Sequence, residues 1–444
     1  MSKPKEYSWM TKDKLMLYTF IALLIIDAIS TFIFGITLII VTASAVLVAV
    51  AIDLLLSKVA VDSPLNIPSA AVFGMIVALS YSLGTPIDLT SSISPSMSVP
   101  LVYIYPALIS LVGMVLFKKL QGLKGRKYVN PAAAAKLLVL VFFIGTVAFL
   151  PLDHLMAMPT LTVPLYYDNP SSATNPIPFG VALQTCYGNK TIFDASGNVV
   201  ASVTQFDVLW TMLVQKFHGW AGGASSIAVI AVGLALFALC RRYIKWRITA
   251  VYLVTVALFA LGLNFVYGGD PILRMVFHLF VGSSIFLAFF MATDPATSPL
   301  TYAGQAVFGV GLGLLTVIFQ VYMNFMGGSI LALVLMNLTS PFLDRVGKLK
   351  PRTEKITPKL PKAKQFTAVK VTDCIRCGAC MRSCCLHLSP ILVKQAFDKE
   401  DFEACKKLQA NLCEGCGHCS FVCPARIDLK GTMLRTKSAL RTMQ

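Results

Sequence analysis

Long apolar runs restrict this chain more than any other feature. Examples are "LVLVFFIGTVAFL" at 138–150 and "IAVIAVGLALFALC" at 227–240. A run approaching the roughly 18–20 residues that cross about 30 Å of hydrocarbon must satisfy its own backbone N–H and C=O groups. Here that means an α-helix. Ten spans are expected, at about 15–30, 32–56, 67–84, 98–117, 131–151, 224–240, 248–266, 271–291, 302–322 and 328–343. Composition agrees: the 444 residues are 56% hydrophobic and 13% charged, whereas soluble domains carry about 25% charged residues. The first 14 residues are polar, with four lysines. The run after them is too long for a signal core, so no cleavable signal peptide is expected.

The cationic residues alternate between connections. Lys58 flanks one; Lys118, Lys119, Lys124, Arg126 and Lys127 cluster between the fourth and fifth spans. Arg241, Arg242, Lys245 and Arg247 lie between the sixth and seventh, and Arg345, Lys348, Lys350 and Arg352 follow the tenth. The intervening loops are poor in Lys and Arg. The positive-inside bias therefore predicts a multi-pass protein of the cell (inner, cytoplasmic) membrane with both termini in the cytoplasm. Residues 344–444 carry a net charge of +11 and the rest +6. No nucleic-acid motif accompanies the excess, so nucleic acid is not an expected partner; anionic lipid or an acidic protein suits it better.

Four regions are expected: a transmembrane domain over 1–346 with a long external loop at 152–223, a Lys/Pro-rich linker at 347–367, a cysteine-dense domain at 368–432 and a basic tail at 433–444. Within the external loop, Ser196-Gly197-Asn198 between β-prone residues predicts a hairpin over 190–202.

Ten of the 12 cysteines fall in 374–423. One spacing occurs twice: Cys374-x-x-Cys377-x-x-Cys380-x-x-x-Cys384, and Cys413-x-x-Cys416-x-x-Cys419-x-x-x-Cys423-Pro424. This is the spacing of bacterial two-cluster ferredoxins, in which the fourth thiolate of each run ligates the other cluster. Cys374, Cys377, Cys380 and Cys423 are assigned to one [4Fe–4S] cluster, and Cys413, Cys416, Cys419 and Cys384 to the other. Structural zinc would use pairs, not runs of three plus one. The first run ends in Cys384-Cys385, so either could be its fourth ligand, with spacing favouring Cys384. Cys405 is expected to be a core thiol. The expected fold class is thus an all-α polytopic membrane protein with a small α+β dicluster ferredoxin-like domain at its C-terminus.

The segment "DNPSSATNP" at 168–176 is held out of regular structure by Pro170 and Pro176 and presents three hydroxyls. Taken alone, it could be a plain side-chain turn. It occurs with "YVNPAAAAKLL" (128–138), "GWAGGASS" (219–226), "MATDPATSPLTYAGQAVFG" (291–309) and "MNLTSPFLDR" (336–345). Together, in this order over roughly 15–346, these phrases resemble the NqrB/RnfD family. Its members are RnfD, a membrane component of the Rnf ferredoxin:NAD oxidoreductase, and NqrB, its counterpart in the sodium-pumping NADH:quinone reductase. The resemblance implies that a flavin transferase attaches FMN to Thr174 through a phosphoester, within a recognition segment comprising Asp168, Ser171, Ser172 and Ala173. Ser172 stands where glycine is most usual. "CIRCGACMRSC" and "CEGCGHCSFVCPARIDL" resemble the ferredoxin domain of RnfC, which normally sits on a separate peripheral protein, so the chain reads as a fusion.

The resemblance implies a subunit, not catalytic alone, of an ion-translocating oxidoreductase of the ferredoxin:NAD type. Electrons would pass between cytoplasmic clusters and the external FMN, coupled to sodium or proton transport. About 30 Å of bilayer separates the two, so intermediate carriers are expected, in other subunits or as a second, noncovalent flavin. A low-potential ferredoxin or another donor would supply electrons. No G-x-G-x-x-G unit is present for a nicotinamide, so NAD(H) chemistry would belong to a partner. The alternatives are a membrane-anchored quinone reductase component that pumps nothing, or a transporter with an iron–sulfur sensor, for which Asp27 and Asp53 are the candidate intramembrane acids.

Overall fold

The computed structural model describes residues 8–59, 65–81, 99–120, 127–139, 192–193, 199–201, 212–214, 220–267, 271–282, 284–322, 328–347 and 371–442. Thr174 and its flanking segment, Asp168 to Ala173, lie outside the described residues, as does the linker.

Helices α1 (Lys12–Phe34) and α2 (Ile36–Val59) open the bundle. The Thr11 hydroxyl starts α1 by accepting from Lys14 N at 3.1 Å, and Gly35, at φ 70°, makes the reversal into α2. Next come α3 (Ile67–Leu79), α4 (Val99–Val112, continuing as a π-helix over Gly113–Leu120) and α5 (Pro131–Leu137). Then follow α6 (Ser226–Cys240), α7 (Trp246–Tyr267), α8 (Pro271–Phe280) and α9 (Ser284–Phe286, continuing as a π-helix over Leu287–Met291). Helices α10 (Tyr302–Tyr322) and α11 (Gly328–Leu343) complete the bundle.

Four of these helices, α1, α2, α7 and α10, are long and apolar enough to cross a membrane singly, and α8 with α9 is an apolar pair bent by 64°, a broken span or a re-entrant loop. Helices α3, α6 and α11 are apolar but shorter, and the expected span at 131–151 is described only to residue 139. The chain is a multi-pass membrane protein. Its outer surface is apolar, with Phe32 92% and Phe265 95% exposed. That is the reverse of a soluble exterior and suits contact with lipid. Small residues then bring helices together, because lipid gives no hydrophobic drive to do so. On α10, a Cβ at Gly309 would meet Val251 at 2.9 Å, and one at Gly313 would meet Thr255 at 2.8 Å, so α7 packs directly on the backbone of α10.

Lys12, Asp53, Lys118, Lys127, Asn130, Tyr243 and Asp294 all line one cleft at a single end of the bundle. Cationic residues from the start of α1 and from the cluster between the fourth and fifth spans therefore gather at that end among the described residues. Asp53 has a structural role there. It is 1% exposed, pairs with Lys119 at 2.5 Å and accepts from Asn66 N at 2.9 Å. Asp27 accepts from the Thr42 hydroxyl at 2.8 Å, tying α1 to α2.

The expected hairpin is present as backbone pairing: β1 (Ile192–Phe193) runs antiparallel to β2 (Val199–Ala201), with Ile192 opposite Ala201.

Residues 371–442 form a small unit at the same end of the bundle. It contains α12 (Ala379–Arg382), α13 (Pro390–Phe397), α14 (Phe402–Lys407), α15 (His418–Phe421) and α16 (Leu429–Thr442). The expected α+β character is not met among the described residues, which hold no strand here. Backbone on either side of the cysteine runs is cross-linked at Thr372 N to Ala425 O, 2.9 Å, a contact that does not extend into a ladder.

Candidate functional site

The two cysteine runs fold as a structural repeat. Arg376 and Gly415, each two residues after the first cysteine of its run, have φ of 52° and 69°. Gly378 and Gly417, at φ 72° and 81°, precede α12 and α15 and turn each run toward its third cysteine. The N–H of Arg376 donates to Cys374 Sγ at 3.3 Å, and that of Gly415 to Cys413 Sγ at 3.4 Å. Arg376 is the departure from the pattern: glycine adopts a positive φ at no steric cost, arginine does not.

The repeat also bears on Cys384 and Cys385. Arg426 has φ 59° and its N–H donates to Cys423 O at 3.2 Å; His387 has φ 56° and its N–H donates to Cys384 O at 3.1 Å. Cys384 therefore occupies the position of Cys423, and Cys385 lies one residue beyond it. Cys405 is fully buried and its thiol donates to Val393 O at 3.8 Å, as a core thiol would.

The runs cross. One cavity is lined by Cys374, Cys377 and Cys380 of the first run together with Cys423 of the second. On the other side, Cys384 lies in the field of Cys416 and Cys413, and Cys419 in that of Cys413, Cys416 and Cys384. Among the described residues no three ligand-type side chains converge on a point that would hold a single metal ion. The first-run sulfurs instead surround a cavity, which suits a group of several metal atoms. Burial pushes the Cys377 thiol up and the Cys380 thiol well up. Ligand-free, these thiols would hold their protons, so metal loading must release them.

The first run is built into the membrane domain. Ile375, Cys377, Ala379 and Val422 belong to the same hydrophobic core as the bundle helices, and Leu300 packs with Cys380, Cys419 and Cys423. Arg376 Nη2 meets Asp344 Oδ2 at 2.8 Å, both side chains being under 10% exposed. The other Asp344 oxygen accepts from Leu300 N at 2.8 Å. Lys245 Nζ donates to Pro295 O, Ser298 O and Ser298 Oγ at 2.8–3.0 Å, which fixes the turn that carries Leu300. Arg382 donates to Arg242 O. From the second run, Arg426 donates to Ser8 O at 2.8 Å, and Lys12 N donates to Pro424 O at 3.0 Å. Cys384, Cys385 and Cys413 pack in a separate core with α13, α14 and α16 residues, so these members of the second set lie away from the bundle core while Cys419 shares the Leu300 cluster.

A large cleft, about 830 Å³, opens beside the first cavity and shares Cys374, Ile375, Arg376, Ile391 and Ile427 with it. Phe73, Phe289 and Phe290 supply apolar wall, and Lys12, Lys118, Lys119 and Lys127 supply cationic wall. Sequence reading did not single out this cleft. Its signal was present in the Asn-Pro and Asp-Pro phrases. Asn130 caps α5 by accepting from Ala132 N and Ala133 N at 3.1 and 3.2 Å, and its amide donates to Met291 O at 3.3 Å. Asp294 accepts from Ala296 N at 3.0 Å. Both phrases are capped turns that shape the floor of the cleft.

The NQR2, RnfD, RnfE family model matches residues 2–352; the cysteine-rich unit lies beyond the match. Among relatives, the chain is 28% identical over 330 residues to the D subunit of the Na(+)-translocating ferredoxin:NAD(+) oxidoreductase complex of Acetobacterium woodii, covering 74% of this chain and 86% of the relative. It is 26% identical over 349 residues to the D subunit of the ion-translocating oxidoreductase complex of Actinobacillus pleuropneumoniae, covering 78% and 95%. It is 34% identical over 137 residues to the D subunit of the proton-translocating ferredoxin:NAD(+) oxidoreductase complex of Clostridium ljungdahlii, covering 30% and 40%. With a family model spanning most of its length, and relatives that are D subunits of ion-translocating complexes, the chain belongs to the NQR2, RnfD, RnfE family.

Proposed function

We propose that the chain is the membrane subunit of an Rnf-type, redox-driven, ion-translocating oxidoreductase of the ferredoxin:NAD type, working with other subunits and not catalytic alone. The observation that carries this reading is the cavity of Cys374, Cys377, Cys380 and Cys423, set into the same apolar core as the bundle. A redox group held there is part of the membrane domain and not a tethered accessory, which a sensor would not require.

The first four cysteines would hold one [4Fe–4S] cluster, and Cys413, Cys416, Cys419 and Cys384 the other; such clusters supply one-electron transfer when bound. The N–H donors of Arg376 and Gly415 would stabilise negative charge on the sulfurs, a recognised means of tuning potential. Lys245, Asp344 and Arg376 keep the first cavity on the bundle end. The adjoining cleft, with aromatic and cationic walls, is the best-shaped place for a second, noncovalent flavin or another intermediate carrier. FMN on Thr174, attached by a flavin transferase at the segment Asp168, Ser171, Ser172 and Ala173, would lie in the external loop. Both termini then sit in the cytoplasm, and the membrane is the cell (inner) membrane. The relatives belong to sodium-translocating and proton-translocating complexes, and sodium or proton is the coupling ion of this reading.

Two experiments test this. Expressed with a flavin transferase, the wild-type chain should give in-gel flavin fluorescence and a peptide spanning Thr174 with the mass of FMN, and Thr174→Ala should insert but lose both. Persistent covalent flavin in Thr174→Ala removes the assignment. In inverted vesicles bearing the intact complex, reduced ferredoxin should drive sodium or proton uptake. Electron flow with neither ion moved would reduce the chain to a quinone reductase or similar carrier.

A further inference from the structure

Helix α16 lies along the second cysteine run. A Cβ on Gly415 would stand 3.1 Å from Leu434, and one on Gly417 would stand 3.3 Å from Lys430. Lys437 Nζ donates to Cys413 O at 2.8 Å. At 100° per residue, Lys430, Leu434, Lys437 and Arg441 fall within about 60° of one another, forming a single stripe. Leu434 is 39% exposed, and Arg441 is also exposed. From Leu429 to Thr442 the helix holds no acid, and the exposed lysines Lys406 and Lys407 extend the basic surface on α14, which packs on α16. Glu414 is the exposed acid of the loop beneath.

The two ends of the unit are thus unlike. The first cavity faces the bundle through the Arg376–Asp344 pair and Leu300. The second run carries an exposed apolar residue set among cations. An electron partner entering from solvent needs a short approach to the outer cysteine set. It also needs an orienting field that does not demand a tight, dry interface. We propose that the stripe Lys430, Leu434, Lys437 and Arg441 is the docking surface for a small acidic electron-transfer protein, seated over the loop 413–417. The proposal rests on the reading of the cysteines as cluster ligands.

The test uses the purified, anaerobically prepared full chain and an oxidised, acidic two-[4Fe–4S] ferredoxin as probe, with affinity measured calorimetrically from low to high salt. Iron and sulfide are determined on each sample. The variants are Lys430→Glu, Arg441→Glu and, as a control with the same change in net charge, Arg435→Glu, which points about 120–140° away from the stripe. Lys430→Glu and Arg441→Glu, each alone, should weaken binding by about tenfold at low salt and flatten its salt dependence, while Arg435→Glu changes it less than about twofold. Equal effects of all three would mean that net charge alone attracts the probe, and no effect of either stripe variant would mean that it docks elsewhere; either result overturns the proposal. Absence of iron and sulfide from the wild-type sample would instead overturn the cluster reading beneath it. Normal iron with unaltered binding would overturn the docking surface alone.

Discussion

Cys423→Ala is expected to damage the cluster of the first cysteine run, although Cys423 closes the second. The wild-type chain should contain about eight iron atoms and the variant should fall toward four. The test is epistasis. Adding Cys374→Ala to Cys423→Ala should cost little further iron, because both residues line the same cavity. Adding Cys413→Ala should remove the remainder, because Cys413 belongs to the other set with Cys384, Cys416 and Cys419. Iron analysis and low-temperature spectroscopy of the double variants separate the cases. If Cys423→Ala were instead epistatic with Cys413→Ala, the runs would not cross, and the assignment of Cys384 would fall with them.

The second large effect is expected at Asp344. Its carboxylate holds Arg376 on one oxygen and Leu300 N on the other, under 10% exposed. Removing one member of a buried pair strands the other charge, at a cost of roughly 3–5 kcal/mol. Asp344→Ala should therefore loosen the cysteine-rich unit from the bundle without unloading it. Hydrogen exchange around residues 298–301 and 375–382 should rise by about two orders of magnitude or more, while iron content holds. An apolar replacement of both partners, Asp344→Leu with Arg376→Met, should recover much of the protection, because neither charge is then left buried alone. Unchanged exchange in Asp344→Ala would show that the apolar contacts of Leu300, Ile375 and Cys377 carry the docking unaided.

Much of this architecture is legible in the sequence because the constraints are local. The x-x and x-x-x spacings are local, so the grouping of Cys423 with the first run, which the cavity lining shows, can be read from the spacing. The choice between Cys384 and Cys385 cannot, since adjacent cysteines have the same chemistry. The backbone repeat, in which His387 takes the conformation of Arg426, puts Cys384 in register with Cys423, while Cys385 also meets Cys416. Hydropathy locates the helices but not the bend between α8 and α9, because the residues on both sides are equally apolar; Gly282, at φ 64°, is the local sign of it. The cleft was hidden for another reason. Lys12, Lys118 and Lys127 read as ordinary positive-inside residues, and only the tertiary fold brings them around Phe73, Phe289 and Phe290. The contact of Arg426 with Ser8 joins residues 418 positions apart, and no sequence pattern encodes it.

The central claim is electron passage between the cysteine-rich unit on the inner face and a flavin on Thr174 on the outer face. The most direct measurement uses inverted vesicles carrying the intact complex, mixed rapidly with a reductant that cannot cross the bilayer, following iron–sulfur and covalent-flavin signals in the same sample. The account predicts that the iron–sulfur signal changes first, that the flavin on Thr174 is reduced afterwards, and that Cys374→Ala abolishes the second event while leaving flavin attachment intact. Flavin reduction at the wild-type rate in Cys374→Ala, or only when the reductant is sealed inside the vesicles, would contradict it.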